Sequence, residues 1–69
     1  MIKCEQDASG QSVIRVDVDE ATIIRIPVER INTIKKFQVW VRREEMSGWL
    51  TSEILDELWH FCAVAFEWP

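Results

Sequence analysis

Polar and apolar residues alternate one by one through the first part of the chain, and the period lengthens toward its end. From Ser12 to Asp19, Ile14, Val16 and Val18 share one side while Arg15, Asp17 and Asp19 share the other. That two-residue period predicts a half-buried strand. Met1 to Gln6 alternates more weakly, Ile2 and Cys4 against Lys3 and Glu5, and the turn-forming run from Asp7 to Gly10 behind it predicts a hairpin. Past a short acidic turn at Asp19 and Glu20, the stretch Thr22 to Val28 repeats the pattern with Ile24, Ile26 and Val28 inside. Pro27 has no amide proton for a ladder, so this strand lies at an edge or stops there. Val28 to Lys36 fits two readings equally: a continued strand, or a helical turn that begins at Pro27 and aligns Val28, Ile31 and Ile34. Phe37 to Arg43 returns to strand chemistry, with Phe37, Val39 and Val41 inward and Gln38, Trp40 and Arg42 outward.

The C-terminal segment follows a different rule. Between Thr51 and Glu67 the residues Ile54, Leu55, Leu58, Trp59, Phe61, Cys62, Ala65 and Phe66 fall within an arc of about 160° on a helical wheel, the apolar stripe of a core-facing helix. Glu53, Asp56, Glu57, His60 and Glu67 occupy the other side. Thr51 or Ser52 supplies an N-cap, and Glu53 lies in the first turn against the positive end of the helix dipole. Met46 to Trp49 forms the loop before it. Together these elements predict an α+β single domain, in which a small antiparallel sheet of three to four strands is covered on one face by a single C-terminal amphipathic helix.

Charge sharpens this picture. The net charge is −4, but Met1 to Arg43 holds eight bases and six acids, whereas Glu44 to Pro69 holds six acids and no base. The acidic helix face therefore has no intrahelical cation to neutralise it. An acidic balance argues against direct nucleic-acid contact, because phosphates need a surplus of Lys and Arg on the contact surface. It favours a basic protein partner, and successive carboxylates one helical turn apart lie roughly 5–6 Å from each other, a spacing suited to a row of Lys and Arg. The predicted partner-binding residues are Glu44, Glu45, Glu53, Asp56, Glu57 and Glu67.

Catalytic and metal chemistry find little support in the spacing. His60, the one histidine, and Cys62 point about 200° apart on a helix and cannot pair as base and nucleophile. Two distant cysteines with one His lack the short spacings of a metal site, Gly10 and Gly48 are isolated rather than part of a phosphate loop, and no cofactor is expected. Arg15, Arg25, Lys36 and Arg42 would line the outer face of the sheet around Trp40, but Asp17, Asp19 and Glu29 alternate with them, the pattern of cross-strand ion pairs. Two cysteines without a secretory leader predict a cytoplasmic setting with free thiols, and no apolar run approaches the roughly 18 residues of a membrane span.

With 69 residues the buried fraction is small, so association would help stability. An outward Trp40, with Trp49 and Trp68 flanking the helix, supplies an aromatic interface for a homodimer. In size and charge alone, the chain is similar to the small acidic inhibitors encoded by phages and mobile elements, anti-CRISPR proteins among them. That resemblance implies a non-catalytic inhibitor that mimics nucleic acid and covers a basic surface on a nucleic-acid-handling protein. Two alternatives compete with it: a homo-oligomeric structural or regulatory module, and an antitoxin-like or small accessory subunit that completes another protein's core.

Overall fold

Asp7 sets the first turn. In a computed structural model that describes residues 1–69, its Oδ1 accepts hydrogen bonds from the Ser9 amide at 2.9 Å, the Ser9 hydroxyl at 2.6 Å and the Gln11 amide at 3.0 Å. Gly10 follows with φ +86°, a left-handed conformation that a side chain would oppose. This turn joins β1 (Ile2–Gln6) to β2 (Ser12–Asp17), and a second turn at Asp19 to Thr22 leads into β3 (Ile23–Pro27). The sheet is antiparallel in the order β1-β2-β3, with Cys4 opposite Ile14 and Ile14 opposite Ile26. Pro27 is the last residue of an edge strand, where its missing donor costs no ladder bond.

The register sorts the sheet into two faces. Ile14, Val16 and Ile26 lie on one and are buried, together with the half-buried Ile2 and Ile24. Lys3, Glu5, Arg15, Asp17 and Arg25 share the other. There the Arg15 Nε approaches Asp17 Oδ1 at 2.8 Å, its Nη1 lies 3.8 Å from Glu5, and Arg25 Nε lies 3.1 Å from the same carboxylate. Cross-strand pairing thus uses Glu5 alone, Asp17 pairs with Arg15 along its own strand, and Asp19 and Glu29 join no ion pair. Val13, buried although it belongs to the polar face, is paired across the strands with Glu5 and Pro27.

Three helices follow the sheet, where the alternation predicted one helix and a fourth strand. Pro27 closes β3 and opens α1 (Val28–Ile31), whose Ile31 is fully buried. The equal readings of Val28 to Lys36 resolve to helix, interrupted at Asn32 and Thr33. The segment Phe37 to Arg43 belongs to α2 (Ile34–Glu44). Thr33 caps it, its hydroxyl accepting from the Lys36 amide at 3.2 Å. On a 3.6-residue period Ile34, Phe37, Trp40 and Val41 share a stripe, and Phe37 and Trp40 are buried while Val39 is 46% exposed. Trp40 therefore points inward, the reverse of its place on a strand, and no longer stands among Arg15 and Arg25. Lys36 and Arg42 leave the sheet with it.

The third helix, α3 (Ser52–Ala65), matches the wheel closely. The Thr51 hydroxyl accepts from the Ile54 amide at 3.3 Å, Leu58 and Cys62 are fully buried, and Ile54, Leu55, Phe61 and Phe66 are partly buried against the core. Trp59, predicted on the apolar stripe, keeps 39% of its surface exposed, and Ala65 is exposed. Phe37 is the hub of the aromatic packing, with ring centroids 5.8 Å from Trp40, 5.4 Å from Trp59 and 5.5 Å from Trp68. Offset and edge-to-face pairs at such distances add to the burial of their area.

The end of α3 stores strain in one residue. The Trp68 amide bonds the Ala63 carbonyl at 2.9 Å and the Glu67 amide the Val64 carbonyl at 3.3 Å, the pattern of a Schellman cap. Such a cap needs a left-handed residue, and Glu67 supplies it at φ +54° where glycine is usual. Trp68 is held there by its indole N–H, which donates to the Asn32 carbonyl at 3.2 Å. Replacing Glu67 with glycine should therefore stabilise the fold, by about 0.5–1 kcal/mol. A urea titration of the two proteins checks this.

Candidate functional site

The regular turn spacing of α3 brings three of the predicted carboxylates together. Glu53, Asp56 and Glu57 are all exposed, and with His60 they border a shallow, open depression floored by Ile2 and Phe61. Each of the chain's three ion pairs lies on the sheet, so none of these carboxylates is paired with a cation of its own protein. Four residues separate Glu53 from Glu57, about 6 Å along the axis, so the charges form a tight cluster.

The other predicted acids disperse. Glu45 stands across the groove between α2 and α3, which it lines with Asp56 and Arg42. Glu44 is half-buried, and its Oε2 accepts the Trp49 indole N–H at 3.3 Å, which ties it to the loop before α3. Glu67 lies beyond the far end of α3, about 20 Å from Glu53 by helical rise. The aromatic residues assigned to an oligomer interface are engaged within the chain. Trp40 is only 7% exposed, Trp49 packs at 5.9 Å from it, and Trp68 packs on Phe37, Trp59 and Phe66. A buried Trp40 has no surface with which to anchor a second subunit, which corrects the reading that placed it outward.

Nucleophilic chemistry is closed off at the cysteine nearest the site. Cys62 is buried on the core side of α3 while His60 faces solvent, and burial pushes the thiol up to about 12, so it stays protonated at neutral pH. No group of three or more His, Cys, Asp or Glu side chains converges to hold a metal ion. No helix is long and apolar enough to cross a membrane.

The carboxyl groups with displaced titration are structural. Hydrogen bonding from Ser9 holds the Asp7 carboxyl below its usual 3.8, and the hydrogen bond from Arg15 does the same for Asp17. A depressed folded value means that each group favours the folded state above 3.8, and that this contribution fades as the pH falls below 3.8 toward the lower folded value. Thermal melts between about pH 2 and pH 6 should accordingly show stability declining below 3.8, with part of the decline removed in Asp7→Asn.

The alternation-based reading missed a second charged surface, made by Arg30, Lys35, Lys36 and Arg43 around α1 and α2. Its signal was already present: no Asp or Glu occurs between Arg30 and Arg43. No protein-family model, curated protein or solved structure matches this chain, which leaves the arrangement of its side chains as the guide to what it does.

Proposed function

We propose that the protein works by occupation, laying the acidic face of α3 on a basic surface of a nucleic-acid-handling partner protein in the cytoplasm. The observation that supports this most directly is the cluster of Glu53, Asp56 and Glu57, exposed on one helix and none of them joined in an ion pair of the chain. Glu45 extends the cluster across the α2–α3 groove, while Glu67 adds a more distant contact. Carboxylates fixed on a helix present charge at near-regular intervals without losing much freedom on binding, so they compete well with a flexible phosphate chain. In this reading the helices pack on the sheet face of Ile14, Val16 and Ile26, leaving the ion-paired face of Arg15 and Arg25 as a solvated back. The small size, acidic charge and non-catalytic surface fit an inhibitor of the kind that phages and mobile elements encode, anti-CRISPR proteins included.

Capture of partners on the immobilised protein at about 50 mM and then 500 mM salt tests the reading, since the screening length shrinks about threefold over that range. A basic partner held at the lower salt and released at the higher supports it. Retention that ignores salt, or a partner without a basic surface, removes it.

A further inference from the structure

A second surface of the molecule carries its own unanswered charge. Arg30, Lys35, Lys36, Arg42 and Arg43 lie within fourteen residues that contain no acid, and none of them joins an ion pair. Lys36, Val39 and Arg43 follow one another at helical spacing along α2, which sets the two cations about 10 Å apart along the axis. Arg30 of α1 and Lys35 complete the border of the shallow depression they share. Arg42 turns instead toward the α2–α3 groove, beside Glu45 and Asp56. The one carboxylate at the depression, Glu44, is engaged by the Trp49 indole.

Within the fold these charges are unfavourable. Lys35 and Lys36 stand in the first turn of α2, which has no acidic residue, so they are repelled by the positive end of the helix dipole and by each other. Nothing inside the chain relieves that repulsion; an external polyanion would. We propose that the depression between α1 and α2 binds the phosphate backbone of nucleic acid through Arg30, Lys35, Lys36 and Arg43. A strand with a phosphate every ~3.4 Å of rise supplies charge along the whole 10 Å line, whereas the α3 carboxylates of a second copy span only about 6 Å. An anionic membrane fits less well, because Val39 is the only exposed apolar side chain at the depression and offers little to insert. The Trp40 ring is buried, so bases find no stacking platform and the contact is indifferent to sequence. The net charge of −4 opposes approach from a distance, but the local surface is what a phosphate meets. This site shares no residue with the acidic cluster of α3 and stands or falls separately from it.

Fluorescence anisotropy with labelled single-stranded and duplex oligonucleotides of two unrelated sequences, measured on the full chain at low and moderate salt, tests the proposal. Both sequences should bind alike, with log K against log salt sloping no more steeply than about −3.6 for duplex and about −2.8 for single strands, the limit for four phosphate contacts. The variant Lys35→Gln/Lys36→Gln should lose affinity by about tenfold or more at low salt and at the same time melt at a higher temperature, because it relieves the repulsion at the start of α2. Glu44→Gln should tighten binding, and Asp56→Asn/Glu57→Gln should not weaken it. Absence of oligonucleotide binding at low salt overturns the proposal, as does binding that Lys35→Gln/Lys36→Gln leaves unchanged. Self-association seen by light scattering and lost in that variant, without oligonucleotide binding, would overturn it in favour of a second copy. Binding to phosphatidylserine vesicles but not to oligonucleotides would overturn it in favour of a membrane surface.

Discussion

Trp40→Ala is expected to bring the protein to the edge of unfolding, whereas Val39→Ala, one residue away, should pass almost unnoticed. Trp40 is 7% exposed and packs against Phe37 and Trp49, with ring centroids at 5.8 and 5.9 Å. Truncating a buried aromatic costs about 3–5 kcal/mol through lost transfer energy and the cavity left behind. Natural domains have about 0.05–0.15 kcal/mol of stability per residue, so 69 residues leave little reserve against such a loss. Val39 is 46% exposed, and trimming a surface side chain on a helix shifts stability by about 0.5 kcal/mol or less. Alanine is also a better helix former than valine, which offsets part of even that loss. Urea unfolding of both variants reads the difference directly. The reverse order, with Val39→Ala the costlier change, would overturn the helical α2, because a strand through these residues exposes Trp40 and buries Val39.

That pair of neighbours also marks where the sequence was and was not readable. The β1–β2 hairpin could be read because alternation and turn chemistry agree there, with Asp7, Ser9 and Gly10 at the positions the turn demands. The helix α3 could be read because its stripe runs for four turns and has no competing period. Phe37 to Val41 offered both periods at once: alternate residues are apolar, yet Ile34, Phe37, Trp40 and Val41 also fall on one helical face. Five residues cannot decide between them. Length can, since no glycine or proline interrupts the chain between Val28 and Ser47 and Thr33 is placed to cap an eleven-residue helix.

The same ambiguity passed on to the charged surfaces. Assigning Lys36 and Arg42 to a strand set them beside Arg15 and Arg25, among acidic neighbours that would neutralise them. Once α2 is a helix, those cations stand apart from the ion-paired sheet, and Lys36 joins Arg30, Lys35 and Arg43 at the basic depression. The acidic cluster on α3 was legible because it depends on a single element. Glu44 and Glu67 were not, because their positions are set by the chain just past the two helix ends: a loop whose Trp49 engages Glu44, and a left-handed cap that turns the backbone at Glu67.

Asp56→Lys/Glu57→Lys should abolish partner binding while leaving the fold intact. Both side chains are exposed and unpaired, and both lie beyond the first turn of α3, where the helix dipole no longer bears strongly on them. Glu57→Lys also puts a cation four residues after Glu53, a spacing that supports a helix. Circular dichroism and the melting temperature should therefore stay close to those of the parent. At the interface each change removes an attraction and adds a repulsion against the same basic surface, and like charges brought together there cost several kcal/mol, a loss of more than about a hundredfold in affinity. The isosteric pair Asp56→Asn/Glu57→Gln removes the attraction without the repulsion, so its loss should fall between the parent and the reversed variant. That graded order is the signature of charge. A partner bound equally well by all three proteins would mean that α3 presents its acids only to water, and the occupation mechanism would have to be abandoned.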